Sequence, residues 1–121
     1  MSDQPLAVII EDDLDLSFIF AEAMRAAGFN TEVRRDGKGA FECVEKLHPK
    51  VVILDLHLPH VSGPDILKQI RASDELRKLR VVITTADARL AEQTGHLADF
   101  VLIKPISFNL LRDIASRLSR A

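Results

Sequence analysis

Apolar runs of strand length alternate with segments of helical periodicity along this chain, and that alternation constrains its fold more than any other feature. The runs at 6–10 (LAVII), 51–54 (VVIL) and 100–103 (FVLI) are apolar at every position, which is typical of strands covered on both faces. Two more strands are predicted at 31–34 and 80–84.

The segments between the runs carry apolar residues at the spacing of an amphipathic helix. The first such stripe extends from Leu16 to Ala27, and Gly28 is placed to end that helix. Four more helices are predicted: one that must stop before Pro49, one at 62–72, one with weak periodicity at 87–96, and one that follows an N-cap at Ser107. Five strand–helix units favour an α/β fold, in which a parallel sheet lies between two layers of helices.

Composition indicates a single globular domain. The 121 residues are 47% hydrophobic and 28% charged, and a formal net charge of -2 gives no basic surface for nucleic acid. Cys43 is the only cysteine, which excludes an internal disulfide and fits a reducing compartment. No apolar run approaches the length of a membrane span, and no signal sequence precedes the first run. We expect one cytoplasmic domain over residues 1–121, with no output domain and a monomeric or weakly dimeric state.

Reactive side chains directly follow four of the predicted strands. They are Glu11, Asp12 and Asp13, then Asp55, then Thr84 and Thr85, and finally Lys104. In a parallel sheet with right-handed crossovers all strand-to-helix loops share one edge, and ligands bind outside that edge. We therefore expect carboxylates, a hydroxyl and an ammonium to meet there, a set that suits a divalent cation and a phosphoryl group.

The three consecutive acids allow two interpretations. Carboxylates are favourable at a helix N-terminus, so Glu11, Asp12 and Asp13 could serve only to start the first helix. Alternatively, two of them join Asp55 around a cation, because closely placed carboxylates repel each other unless a metal or protons neutralise them. Hard oxygen ligands that leave several positions to water favour Mg²⁺ over zinc or a transition metal.

Asp55, Lys104 and Thr85 each have a structural and a chemical interpretation. Asp55 either caps a turn or attacks phosphorus in line to give an aspartyl phosphate. Lys104 is either a surface lysine with a buried stem or a cation that pairs with Asp55 or with a phosphoryl oxygen. Thr85 is either a strand former or a hydroxyl donor at the same edge.

Together these segments resemble the receiver domain of two-component response regulators. The segments are VIIEDD, VVILDLHLPHVSG, VITTADA and LIKPI, and the resemblance covers residues 6–119. The second segment is the most specific, with Pro59 four and Gly63 eight residues after Asp55. The resemblance implies a flavodoxin-like (βα)5 sandwich whose five parallel strands lie in the order 2-1-3-4-5.

The resemblance also implies a role for each residue of the acidic group. Asp55 accepts the phosphoryl group from the phosphohistidine of a histidine kinase. Glu11 and Asp12 hold Mg²⁺ together with Asp55, and the backbone carbonyl of His57 completes the protein ligands. Asp13 is left to start the first helix.

Thr85 and Lys104 bind phosphoryl oxygens by the same resemblance. The implied partners are a histidine kinase or phosphotransfer protein and a downstream target protein, with no direct contact to nucleic acid or membrane. Catalysis is limited to the chain's own phosphorylation and hydrolysis, so we expect no enzyme in the ordinary sense. One alternative is a degenerate receiver that binds a partner constitutively, although no site residue is missing. Another is a small aspartyl-phosphate phosphatase, but such enzymes place an acid where this chain has His57.

Two departures from the family concern signalling. Receivers usually carry Tyr or Phe three residues before the lysine, and here that position is Val101. Phe100 is adjacent, but neighbours on a strand point to opposite faces, so it does not replace the missing aromatic ring. The stretch from Thr85 to Lys104 is also short, with a weak fourth helix. We hypothesise that Asp55 is phosphorylated normally and that the fourth-helix and fifth-strand face transmits the signal in an unusual way.

Overall fold

The structure is a computed structural model that describes residues 3–120, and all five predicted strand–helix units are present. In chain order the elements are β1 (Leu6–Ile10), α1 (Leu14–Ala26), β2 (Asn30–Arg34), α2 (Ala40–Leu47), β3 (Val51–Asp55), α3 (Gly63–Ala72), β4 (Arg80–Thr85), α4 (Ala88–Thr94), a 3-10 turn (Gly95–Leu97), β5 (Phe100–Ile103) and α5 (Phe108–Ser119). The predicted boundaries agree with these to within two residues.

The five strands form one parallel sheet in the order β2-β1-β3-β4-β5. The order that the resemblance implied is therefore confirmed, as is the flavodoxin-like α/β fold. β1 and β3, at the centre, are buried along almost their whole length, whereas β2 and β5, at the edges, alternate between partly buried and exposed positions. The continuous apolar runs at 6–10 and 51–54 thus mark central strands, but the same expectation is wrong for the run at 100–103, because β5 lies at an edge of the sheet.

Alternation along the strands divides the core into two layers. Ile9, Ile53 and Val82 face the layer that α1 and α5 cover. Val52 and Ile83 face the opposite layer, which α2 and α3 cover. Because successive side chains of a strand point to opposite faces, the layer of any strand residue follows from its neighbours two positions away.

Side-chain caps set where the helices begin. The Asp13 carboxylate accepts a hydrogen bond from the Leu16 amide at 2.9 Å, so α1 starts at Leu14, two residues before the predicted apolar stripe. Leu14 is exposed and therefore contributes nothing to that stripe. Ser107 caps α5 in the same way, as predicted, by accepting from the Leu110 amide at 3.0 Å.

The fourth helix is short, and Arg71 of α3 binds the 3-10 turn that follows it. Its guanidinium donates to the carbonyl of Leu97 at 2.7 Å and to the carbonyl of Leu79 at 2.6 Å. It also pairs with Asp99 at 3.2 Å, just before β5. One side chain thus joins the loop before β4, the 3-10 turn and the residue before β5.

Within residues 3–120, no helix is long and apolar enough to cross a membrane.

Candidate functional site

Three polar residues occupy one row at the carboxyl edge of the sheet. Asp55 and Thr84 are register partners on β3 and β4, and Glu11 follows the pair that Ile10 forms with Leu54. Glu11 is 1% exposed, Asp55 2% and Thr84 0%, so the row is as buried as the core around it. Buried polar groups need partners, and the surroundings of each decide what it can do.

Lys104 supplies the positive charge of the row. Its Nζ lies 2.9 Å from Glu11 Oε1 and 3.6 Å from Asp55 Oδ1. The prediction that this lysine reaches the acids is confirmed by geometry, and only 19% of its side chain is exposed. Its backbone amide donates to the Thr85 carbonyl at 2.8 Å, which ties the end of β5 to the end of β4.

Burial and pairing act in opposite directions on these charges. Burial raises the pKa of Glu11 to about 7, although the ammonium of Lys104 opposes that rise. For Lys104, burial acts to lower the pKa, but the neighbouring Glu11 and Asp55 outweigh it, so that its pKa is raised. Burial therefore disfavours the charged form of Glu11 more than the one ammonium favours it, and the nearby charge of Asp55 adds to the rise in the pKa of Glu11.

The acids form a group that fits a hard cation. Glu11, Asp12 and Asp55 each offer a carboxylate oxygen within 4.8 Å of the others. Two are buried and Asp12 is exposed, which leaves one side of the group open to water and substrate. An all-oxygen set with room for water is what Mg²⁺ prefers. Asp13 caps α1, as the resemblance implied, and metal binding by Glu11 and Asp12 stays a prediction.

The loop after β3 folds back tightly against Asp55. The His57 amide donates to Asp55 Oδ1 at 3.2 Å, and the Gly63 amide donates to the Leu56 carbonyl at 3.2 Å. A Cβ on Gly63 would lie 2.3 Å from the Asp55 carbonyl oxygen, so only glycine fits there. This contact gives a physical reason for a glycine eight residues after Asp55. Whether the His57 carbonyl binds a metal stays a prediction.

Thr85 is the last residue of β4 and is fully buried. Its Oγ1 accepts a hydrogen bond from the Asp87 amide at 3.0 Å. Asp87 caps α4 and lies 3.8 Å from the imidazole Nε2 of His57. The Thr85 hydroxyl accepts in its contact with the Asp87 amide, and the role of Thr85 towards a phosphoryl oxygen stays a prediction.

Sequence reasoning missed two features of the edge. His60 Nδ1 lies 2.8 Å from Asp36 Oδ2, and this contact joins the loop after β3 to the loop after β2. The other feature is the exact position of Thr84, because the sequence put Thr84 and Thr85 together at this edge and only the strand register shows that Thr84 is the partner of Asp55. Alternation from Asp55 could have assigned its face if the register had been known.

Val101 occupies the position, three residues before Lys104, where receivers usually carry an aromatic residue. Val101 is 37% exposed on the outer face of β5, and a Cβ on Gly95 would meet its Cγ2 at 3.1 Å. Phe100 packs on the opposite face, against the core beneath α1 and α5. The prediction that Phe100 does not take the place of the aromatic ring is therefore confirmed.

Residues 7–116 match the response regulator receiver domain family. The chain belongs to that family. It is 33% identical to a probable methanogenesis regulatory protein, FilR2, of Methanothrix harundinacea, over 91% of this chain and 78% of that protein. It is 31% identical to the polar-differentiation response regulator DivK of Brucella anthropi, over 74% of this chain and 73% of that protein. The fold is similar to that of the receiver domain of a sensor histidine kinase from Pseudomonas aeruginosa, with a TM-score of 0.86 and 21% identity. The match covers 98% of this chain and 99% of that one, and that structure has a magnesium ion in its active-site cleft.

Proposed function

We propose that this receiver domain accepts a phosphoryl group on Asp55 from a phosphohistidine, and that Mg²⁺ is required for the transfer. The observation that carries the proposal is the buried group formed by Asp55, Glu11 and Asp12 with the ammonium of Lys104 against it. Such a group places a nucleophilic carboxylate next to ligands for a divalent cation and next to a cation for the phosphoryl oxygens.

In the proposed step, a carboxylate oxygen of Asp55 forms a bond to phosphorus while the bond from phosphorus to the donor nitrogen breaks. The donor imidazole leaves with the electron pair of that bond and takes up a proton. Mg²⁺, held by Glu11, Asp12 and Asp55, would reduce the repulsion between the carboxylate and the phosphoryl oxygens. The His57 amide fixes the Asp55 carboxylate, and Lys104 supplies charge to the transferred group.

Lys104 gains a new partner during this step. Before transfer its ammonium is shared between Glu11 and Asp55. When the charge on Asp55 becomes part of an acyl phosphate, the phosphoryl oxygens offer more negative charge than Asp55 itself retains. The ammonium therefore moves towards them, and Thr85 donates its hydroxyl hydrogen to another of these oxygens.

An apolar surface on α1 supports a protein as the phosphoryl donor. Leu14 and Phe18 are 60% and 64% exposed and lie one turn apart on the helix that begins beside Asp13. Large exposed apolar side chains next to a reactive site favour a docking surface. We infer that a histidine kinase or phosphotransfer protein docks here, in the cytoplasm. Phe18→Ala should slow transfer from such a protein more than transfer from acetyl phosphate.

The experiment is incubation with acetyl phosphate and Mg²⁺ followed by measurement of the intact mass. We expect one phosphoryl group on the native chain and none on Asp55→Asn. A chain that gains no phosphoryl group would favour a constitutive interaction domain, which is the degenerate receiver considered above. We propose that catalysis is confined to this self-phosphorylation and its hydrolysis. Turnover of small phosphate esters by the native chain would instead support the phosphatase alternative.

A further inference from the structure

A buried hydroxyl beside Asp55 has no hydrogen-bond partner. In residues 3–120, two buried side-chain oxygens lack one, Glu11 Oε1 and Thr84 Oγ1. Glu11 Oε1 is compensated by the Lys104 ammonium at 2.9 Å. Thr84 Oγ1 forms no hydrogen bond, although Thr84 is fully buried. Since an unpaired buried hydroxyl destabilises a fold, its presence beside the phosphoacceptor needs a physical reason.

Thr84 faces the same side of the sheet as the charged groups. Val82, two residues before it, packs in the layer beneath α1 and α5, as does Ile53, two residues before Asp55. Alternation along each strand then puts Thr84 and Asp55 on that face. The two residues are register partners on adjacent strands, so their backbones are about 5 Å apart. A hydroxyl and a carboxylate at that separation can form a direct hydrogen bond.

Lys104 crosses above Thr84 to reach its partners. It follows β5, and β4 lies between β5 and β3. Its ammonium nevertheless lies 3.6 Å from Oδ1 of Asp55 on β3 and 2.9 Å from Oε1 of Glu11, the residue that follows β1. The lysine stem therefore crosses β4 at the end where Thr84 lies. In the unphosphorylated chain the ammonium lies next to Asp55, and the Thr84 hydroxyl forms no hydrogen bond.

We propose that Thr84 is a positioning residue of the phosphoacceptor site, whose hydroxyl donates to the Asp55 carboxyl group when Lys104 moves from Asp55 towards the phosphoryl oxygens. This inference rests on the proposed function, because it assigns Thr84 a role in that same transfer. The hydroxyl replaces the contact that Asp55 loses, and the staggered positions of Thr84 about χ1 offer it more than one direction to do so. Thr85 has a different task, since its Oγ1 already accepts from the Asp87 amide.

The test compares Thr84→Val with Thr84→Ser in the full chain. Valine keeps the branched shape without the hydroxyl, and serine keeps the hydroxyl without the methyl group. Thr94→Val, at a buried threonine of α4, is the matched control. Two quantities are measured for each variant: the thermal unfolding midpoint without Mg²⁺, and the rate of phosphorylation by acetyl phosphate with Mg²⁺.

We expect Thr84→Val to unfold at or above the native midpoint, because the hydroxyl it removes is unpaired before phosphorylation. The same variant should be phosphorylated about tenfold more slowly, since it loses a hydrogen bond to a charged group. Thr84→Ser should keep the native rate within about twofold, and Thr94→Val should leave the rate unchanged.

Other results would overturn the inference. A lower midpoint for Thr84→Val would mean that the hydroxyl is already paired in the unphosphorylated chain. A native rate for Thr84→Val would remove the role in transfer while leaving the proposed function intact. A rate that serine does not restore would assign the effect to the methyl group. If the native chain itself accepts no phosphoryl group, both the inference and the proposed function are wrong.

Discussion

Replacing Lys104 with methionine would remove the cation from two buried carboxylates and keep an unbranched apolar stem. The ammonium lies 2.9 Å from Glu11 Oε1 and 3.6 Å from Asp55 Oδ1. With an effective dielectric constant of about 20, each contact is worth about 5 kcal/mol before desolvation is counted. Because the lysine side chain is only 19% exposed, its lost hydration offsets much of this. Breaking a buried pair from one side costs about 3–5 kcal/mol in comparable cases.

Glu11 makes this cost depend on pH. Burial raises its pKa in the folded chain from the ordinary 4.5 to about 7, so its protonation stabilises the folded state. That contribution is complete below pH 4.5 and is lost as the pH rises through 7. Without Lys104 the pKa of Glu11 moves higher still. The variant therefore loses additional free energy of unfolding above pH 7, by up to about 1.4 kcal/mol per pH unit. We expect the free energy of unfolding of Lys104→Met to be lower than that of the native chain by about 1 kcal/mol at pH 6 and by about 3 kcal/mol at pH 9.

Urea unfolding in EDTA between pH 6 and 9 measures this difference. Circular dichroism is the suitable signal because the chain contains no Trp or Tyr. Lys68→Met, at an exposed position of α3, is the control for loss of a lysine charge, and it should cost little at any pH. Mg²⁺ should restore part of the stability of Lys104→Met at high pH, since it replaces the missing cation. A loss that is equal at all pH values would refute this account of the charge balance.

Three further predictions concern the glycines, the short fourth helix and the metal. Gly63→Ala should lower the free energy of unfolding in urea by about 2–3 kcal/mol, because the new Cβ would meet backbone at 2.3 Å. Gly39→Ala, in open space at φ 75°, should lower it by only about 1 kcal/mol. Equal costs for the two substitutions would contradict this reasoning. Arg71→Leu should speed amide hydrogen exchange in the turn after α4, and unchanged exchange there would show that the guanidinium does not fix it. Calorimetry should find that Mg²⁺ binds about tenfold more weakly at pH 6 than at pH 8, because a proton competes with the metal for Glu11. Glu11→Gln should abolish that pH dependence.

The strands and the chemistry of their ends could be predicted from the sequence because local patterns determine both. The runs VVIL and LAVII are apolar at every position because β3 and β1 are central strands. Reactive residues placed directly after such runs must share one edge once the sheet is parallel. Residue pattern alone did not determine the strand order, which came from the resemblance to a known family.

The remaining contacts depend on residues far apart in the chain. Arg71 meets Asp99 across 28 positions, and His60 meets Asp36 across 24, and no local period indicates either pair. Thr84 illustrates a different limit. Its strand is apolar on both faces, so the sequence does not show which of two adjacent threonines lies beside Asp55. Only the register between β3 and β4 decides that.

The most direct test of the central claim is to locate the acyl phosphate in the chain. After incubation with acetyl phosphate and Mg²⁺, borohydride reduces an aspartyl phosphate to homoserine, and peptide mass analysis then identifies the modified position. We expect homoserine at Asp55, and none when Mg²⁺ is removed with EDTA. Homoserine at Asp12 or Asp13, or none at any position, would contradict the assignment of Asp55 as the phosphoacceptor.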